Sequence, residues 1–290
     1  MMLAVAASQQ SEVDALLESG WWDGSVISVA HHCSWPGVTC NDNLSVIEIS
    51  ISPTIYLFDR KSFAKLNFSA LPNLLRLDIS KQGVYGCIPP GLGRLTKLRS
   101  LSLGANQLNG SIPPKIGKLH NLVTLDLSYN SLLGEVPSAL GQLANLVTLN
   151  LSDNSLSGEV PSALGQLANL VTLDLSGAYL SGEVPSTLGQ LANLVTLDLS
   201  GSIPPALLRL TNLTYLYLDS NLLQEEYIEL KVGKHIQVQQ KMGIYSQYGT
   251  LMEGLHMKMS LKQLRILTSN IALALVGMVV FIEHNCQVVK

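Results

Sequence analysis

Apolar residues return along the middle of the chain with a period of 24 residues. Residues 119–142 read LHNLVTLDLSYNSLLGEVPSALGQ, 143–166 read LANLVTLNLSDNSLSGEVPSALGQ and 167–190 read LANLVTLDLSGAYLSGEVPSTLGQ. The pattern extends back through 71–94 and 95–118 and forward, less regularly, through 191–209 and 210–223. A fixed period of this length marks a solenoid. In 143–166, Leu143, Leu146, Leu149 and Leu151 hold the first, fourth, seventh and ninth places. Leu149-Asn150-Leu151 alternates apolar and polar, which predicts a short strand with one buried face. Leu156 and Val160 have no partner face inside their own unit, so units must stack on one another. The strands then line up about 4.8 Å apart as a parallel sheet.

The polar exceptions are also periodic. The twelfth place holds Asn106, Asn130, Asn154 and Asn221. Asn at a bend can satisfy backbone groups the bend leaves unpaired, which predicts an internal ladder. Gly-x-Ile/Val-Pro recurs from Gly86, Gly110, Gly134, Gly158, Gly182 and Gly201. Glycine permits the turn, and proline favours an extended path with no donor to satisfy. Two units depart from the rule. Ala178 stands where Asn belongs, and Leu199-Ser200 runs straight into Gly201-Ser202-Ile203-Pro204. That shortening predicts a local distortion of the coil near residue 200.

The pattern L-x-x-L-x-x-L-x-L-x-x-N-x-L-x-G-x-I/V-P-x-x-L-G resembles plant-type leucine-rich repeats. It is similar to the ectodomains of plant receptor-like kinases and receptor-like proteins, with no kinase domain in this chain. The resemblance implies an α/β solenoid: a right-handed leucine-rich-repeat horseshoe with a parallel concave β-sheet and a helical N-terminal cap.

Upstream of the array, Val13, Leu16 and Leu17 fall on one helical face. The stretch Cys33-Ser34-Trp35-Pro36-Gly37-Val38-Thr39-Cys40 resembles the family's N-terminal cap signature, C-x-W-x-G-V-x-C. That resemblance implies a Cys33–Cys40 disulfide and hence an oxidising compartment. A zinc site of His31, His32, Cys33 and Cys40 is the rival reading of the same residues. A solenoid end exposes apolar surface, and Trp21, Trp22 and Trp35 supply bulk to cover it. Residues 44–70 read as a degenerate first repeat with a strand at Val46–Ile49. The chain therefore divides into a signal-like segment at 1–7, a cap at 8–43, repeats at 44–223 and an irregular tail at 224–290. The first segment ends Ala4-Val5-Ala6, like the cleavage site of a secretory signal, without the basic start or the full apolar run. The tail's apolar stretch 266–282 falls short of the roughly twenty residues a span needs, and Lys258, Lys262 and Arg265 precede it.

Composition narrows the function. Of 290 residues, 47% are hydrophobic and 13% charged, enough to build a core. The net charge is −3 and no Lys/Arg block occurs, which argues against nucleic acid. No phosphate loop, kinase signature or G-x-S-x-G elbow is present, so no catalytic residue is assigned and no cofactor is expected. The repeated Asp126, Asp174 and Asp198 form a row of like sites rather than an acid/base pair. His284 and Cys286 are read as tail, and Cys87 as a free thiol.

The concave side of such a coil is its usual binding surface. The outward strand positions are Arg76 and Asp78, Ser100 and Ser102, Thr124 and Asp126, Thr148 and Asn150, Thr172 and Asp174, Thr196 and Asp198, and Tyr215 and Tyr217. Ser128, Tyr129, Asp153 and Asp219 lie just beyond. The middle units are near copies, whereas Arg76/Asp78 and Tyr215/Tyr217 vary the ends, and aromatics favour binding hot spots. The expected partner is a peptide or protein ligand, with a co-receptor ectodomain included, at the cell surface or in secreted form. The other readings are a truncated or mis-spliced receptor-like kinase fragment without its own ligand, and an intracellular repeat scaffold. Sequons at Asn43, Asn67, Asn109, Asn150 and Asn212 are candidate glycosylation sites. A glycan at Asn150 would block the middle of the concave face.

Overall fold

The computed structural model describes residues 2–22, 31–51, 62–199, 207, 210, 212–217 and 237–239. A helix, α1 (Met2–Ser19), leads into a ten-stranded sheet. Its strands are β1 (Val38–Cys40), β2 (Val46–Ser50), β3 (Arg76–Asp78), β5 (Ser100–Ser102), β7 (Thr124–Asp126), β9 (Thr148–Asn150), β11 (Thr172–Asp174), β13 (Thr196–Asp198), β14 (Tyr215–Tyr217) and β15 (Gln237–Gln239). From β2 onward every pairing is parallel, and equivalent residues of successive units face each other: Leu125, Leu149, Leu173 and Leu197 stand in one row.

Each regular coil then turns, at an asparagine in three of them, forms a second strand, and closes through a short 3-10 helix such as Ser138–Gln142. The second strands build a five-stranded parallel sheet of β4 (Tyr85–Cys87), β6 (Gln107–Gly110), β8 (Ser131–Glu135), β10 (Ser155–Glu159) and β12 (Tyr179–Ser181). The repeat pattern alone did not reveal this sheet. Its register is sheared: Leu156 pairs with Gly134 rather than with its own counterpart, Leu132. The turn glycines Gly86, Gly110, Gly134, Gly158 and Gly182 all have positive φ, between 71° and 94°. Leu143, Leu146, Leu149, Leu151, Leu156 and Leu164 of one coil are fully buried, as the periodicity predicts.

The asparagine ladder forms. Asn130 Nδ2 donates to the carbonyls of Leu127, Ser128 and, one coil back, Leu103, while its Oδ1 accepts from the Leu108 N–H. Asn106 and Asn154 repeat the arrangement. Gln82 takes that place in the first regular unit and reaches the Ile51 and Ser80 carbonyls through Nε2. Asn221 and Gly201 lie outside the described residues.

The coil shortened near residue 200 keeps its inner edge. Thr196 pairs with Tyr215 in the same register as before, and the Thr214 and Tyr215 N–H groups both donate to the Val195 carbonyl. The distortion expected near 200 falls on residues 200–206, outside the described part.

At the N-terminal end the cap closes the sheet with an antiparallel strand, β1 on β2. Cys33 and Cys40 are joined in a disulfide, so their sulfurs are not free to bind zinc, and that reading of His31, His32, Cys33 and Cys40 is set aside. Cys87 is exposed and free. Gly37 has φ +80°, and a Cβ there would lie 2.6 Å from the Ser50 carbonyl oxygen, which accounts for the glycine of the cap signature. Trp21, Trp22 and Trp35 are buried; Trp21 stacks on Phe63 with centroids 6.3 Å apart. Leu16 is buried, with Val13 and Leu17 packed beside it. The helix runs through residue 7, so no break marks the edge of the signal-like segment. Among the described residues no helix is long and apolar enough to cross a membrane, and 266–282 lies outside them.

Candidate functional site

Two outward rows run along the parallel strands. The first carries Arg76, Ser100, Thr124, Thr148, Thr172, Thr196 and Tyr215, paired in that order; the second carries Asp78, Ser102, Asp126, Asn150, Asp174 and Asp198, and the backbone pairing continues to Tyr217. Alternation along each strand places these residues opposite the buried leucines. The described strand positions of the sequence-based list, from Arg76 to Tyr215, are thus brought together on one face; the Tyr217 side chain and Asp219 lie outside the described part. Ser128 is a correction. It is buried, and its N–H and hydroxyl both donate to Asp126 Oδ1, at 3.0 and 2.6 Å. Ser176 holds Asp174 in the same way. Asp126 and Asp174 therefore each spend one oxygen on the scaffold.

The ends of the face differ, as expected. Arg76 bridges Glu48 at 3.3 Å and Asp78 at 3.0 Å. Tyr215 is 38% exposed. Tyr129, in a left-handed backbone conformation at φ +52°, is 62% exposed beside the face. The Asp153 carboxylate, which accepts a hydrogen bond from it, holds its phenol above the ordinary value.

A second feature had no place in the list of candidates. Along the edge where the inner strands begin runs an open groove of ≈ 660 Å³, lined by Arg99, Asn121, Val123, Asn145, Val147, Asn169, Val171, Asn193, Val195 and Asn212. Five asparagines form its rungs. Their Nδ2 groups donate to the Thr96, His120, Ala144, Ala168 and Ala192 carbonyls of the preceding coils at 2.7–2.8 Å. The valine backbones extend the ladder one residue upstream of each strand; the Val147 N–H donates to the Val123 carbonyl at 2.8 Å. The signal was in the sequence, as Asn at the third and Val at the fifth place of each copy, but a surface groove shows only once the coils are stacked.

The sequons Asn43, Asn67, Asn109 and Asn212 are exposed, whereas Asn150 sits half-buried on β9 with its Oδ1 accepting from Ser152. Asn212 doubles as the last rung of the ladder.

The family model described as a leucine-rich repeat region matches residues 55–179, and the single leucine-rich-repeat model matches 169–191. No curated protein matches the chain. Among solved structures, the ectodomain of the Arabidopsis thaliana membrane receptor kinase GASSHO1/SCHENGEN3, in complex with Casparian strip integrity factor 2, is 36% identical with a TM-score of 0.67. That match covers 74% of this chain and 27% of the receptor chain. The Arabidopsis receptor kinase HAESA, in complex with the peptide hormone IDA and the co-receptor SERK1, is 32% identical with a TM-score of 0.67, covering 80% of this chain and 40% of its own. A plant ice-binding protein is 29% identical with a TM-score of 0.62, covering 73% of this chain and 71% of its own. The chain thus spans between about a quarter and two-fifths of the length of these two receptor ectodomains.

Proposed function

The chain belongs to the leucine-rich-repeat proteins, with repeats of the plant receptor-ectodomain kind, and from that premise we propose that it is a non-catalytic recognition module. It works in secreted form or at the cell surface and binds a peptide or a partner receptor ectodomain on its concave face. The observation that carries this reading is the unbroken run of outward side chains on parallel strands from Arg76 to Tyr215. Two similar receptors are seen with a peptide or protein factor bound, one of them with a co-receptor as well. The Cys33–Cys40 disulfide supports an oxidising compartment over an intracellular scaffold.

The face would act through shape and hydrogen bonding. Thr124, Thr148 and Thr172 offer hydroxyls, and the second oxygens of Asp126 and Asp174 accept from a ligand's N–H or cationic groups. Tyr215 and Tyr129 supply exposed aromatic area, the kind of anchor that dominates interface energies. The test is direct. The full chain, exported from plant cells, is titrated by calorimetry with secreted peptides and with co-receptor ectodomains. Saturable binding that Thr148→Arg and Thr172→Arg abolish supports the reading. No binding across both sets supports instead a receptor-like kinase fragment without its own ligand.

A second reading, ice binding, rests on a different observation. The middle coils repeat the same side chains in the same register, Thr148 on Thr172 on Thr196, and a plant ice-binding protein shares the fold. Peptide recognition gains from variety along a face; a crystalline ligand gains from uniformity.

A further inference from the structure

Resting on the second reading, we propose that the ice-binding surface of this chain is the Asn–Val ladder at the start of the inner strands, not the concave face itself. Both surfaces repeat from coil to coil, but the ladder is free of charge where the concave face is not. From Asn121 to Asn193 each rung is an exposed asparagine followed two residues later by a valine on the groove wall. No charged side chain lines the groove between Arg99 at one end and Asn212 at the other. The concave rows, in contrast, carry the carboxylates of Asp126, Asp174 and Asp198. Ionised groups hold their own hydration shells and are costly to strip of water.

The rungs are also rigid. Each carboxamide is fixed by its Nδ2 bond to a backbone carbonyl, as Asn145 is to His120 and Asn169 to Ala144, both at 2.8 Å. One face of each amide is thereby anchored, and its Oδ1 accepts from water at a fixed place. The valine methyls beside it offer water no competing partner. Successive rungs stand one inter-strand spacing apart, about 4.8 Å, near the repeat between oxygens along rows of the ice lattice. Bridging waters bind nearly as well as direct contacts and cost little once the surface is already ordered. A peptide would find nothing in identical rungs to tell one residue from the next. A lattice with the same step satisfies all of them together.

The experiment uses the full chain and two readouts, inhibition of ice recrystallisation and thermal hysteresis. The wild-type protein should slow crystal growth. Val147→Glu with Val171→Glu should remove the effect while circular dichroism shows the coil intact, and Val147→Thr with Val171→Thr should retain it. Asn150→Lys with Asp174→Lys, on the concave face, should leave it unchanged. Wild-type protein without effect on ice overturns the ice reading and this inference with it. Activity that survives the ladder variants but is lost in the concave pair overturns the placement alone. Peptide binding on the concave face bears on neither result.

Discussion

Asn154 accepts a hydrogen bond from the backbone N–H of Leu132, one coil earlier, at 3.0 Å, while its Nδ2 donates to the Leu127 carbonyl at 2.9 Å. A buried amide thus stitches two turns of the coil, and cutting it leaves backbone groups unpaired away from water. Asn154→Ala should cost about 1–3 kcal/mol, the penalty of an unsatisfied buried group. Urea denaturation, with the midpoint falling and the slope unchanged, is the check. The natural gap at Ala178 offers the converse. Ala178→Asn should add about 0.5–1.5 kcal/mol, the net worth of a typical bond.

Close approach of the coils sets a second limit. A Cβ at Gly141 would lie 2.3 Å from the Ala163 carbonyl oxygen, and at Gly117 2.4 Å from that of Ala139. Both glycines have ordinary negative φ, so the constraint is space and not backbone conformation. Gly141→Ala should destabilise by roughly 1–3 kcal/mol, the range for overpacking. Gly91, with nothing within 4 Å of its Cβ position, is the control that should tolerate alanine.

The cap should respond to acid. His32 is buried, its Nε2 is 3.7 Å from Glu12 Oε2, and Glu12 accepts from the Ser45 hydroxyl and the Val46 N–H. Burial lowers the His32 pKa from 6.5; neighbouring His31 lowers it further, and Glu12 pulls the other way. The folded state therefore binds fewer protons than the unfolded chain. The stability His32 confers is fully present above about pH 6.5 and is lost as pH falls from there through the lower folded value. Fluorescence of Trp21, Trp22 and Trp35 during thermal unfolding should show the melting temperature falling below pH 6.5, and His32→Asn should flatten that slope. An unchanged slope in the variant would sink the assignment.

Reducing the Cys33–Cys40 disulfide should destabilise the cap by about 2–3 kcal/mol, from the loop-closure entropy of a short loop. Because the cap covers the first coils, the same treatment should raise hydrogen exchange at β1 and β2 more than at β9. Equal change in all three strands would show instead that the array unfolds as one unit.

Much of this architecture could be read from the chain. The leucines of the first, fourth, seventh and ninth places, the Asn106–Asn130–Asn154 ladder and the turn glycines are each determined within one repeat, and repetition multiplies the signal. The cap was legible through Cys33, Trp35, Gly37 and Cys40. The concave rows followed from strand alternation, with Ser128 misplaced because its buried bond to Asp126 depends on a turn that alternation does not describe. The second sheet was missed because Leu156 pairs with Gly134, a shift of register that no periodicity announces.

By itself the sequence determined that the units are alike, that none can bury its apolar face alone, and hence that they stack as a coil with strands in register. Tertiary structure alone decided what stacking brings into contact: Glu12 under His32 and Ser45, Ala163 against Gly141, and Asn145 on His120 beside Val147 in a groove. The reason is one of range. A repeat encodes its own bends and burial locally, whereas a surface exists only between coils, where the spacing and shear of neighbouring strands choose which side chains meet.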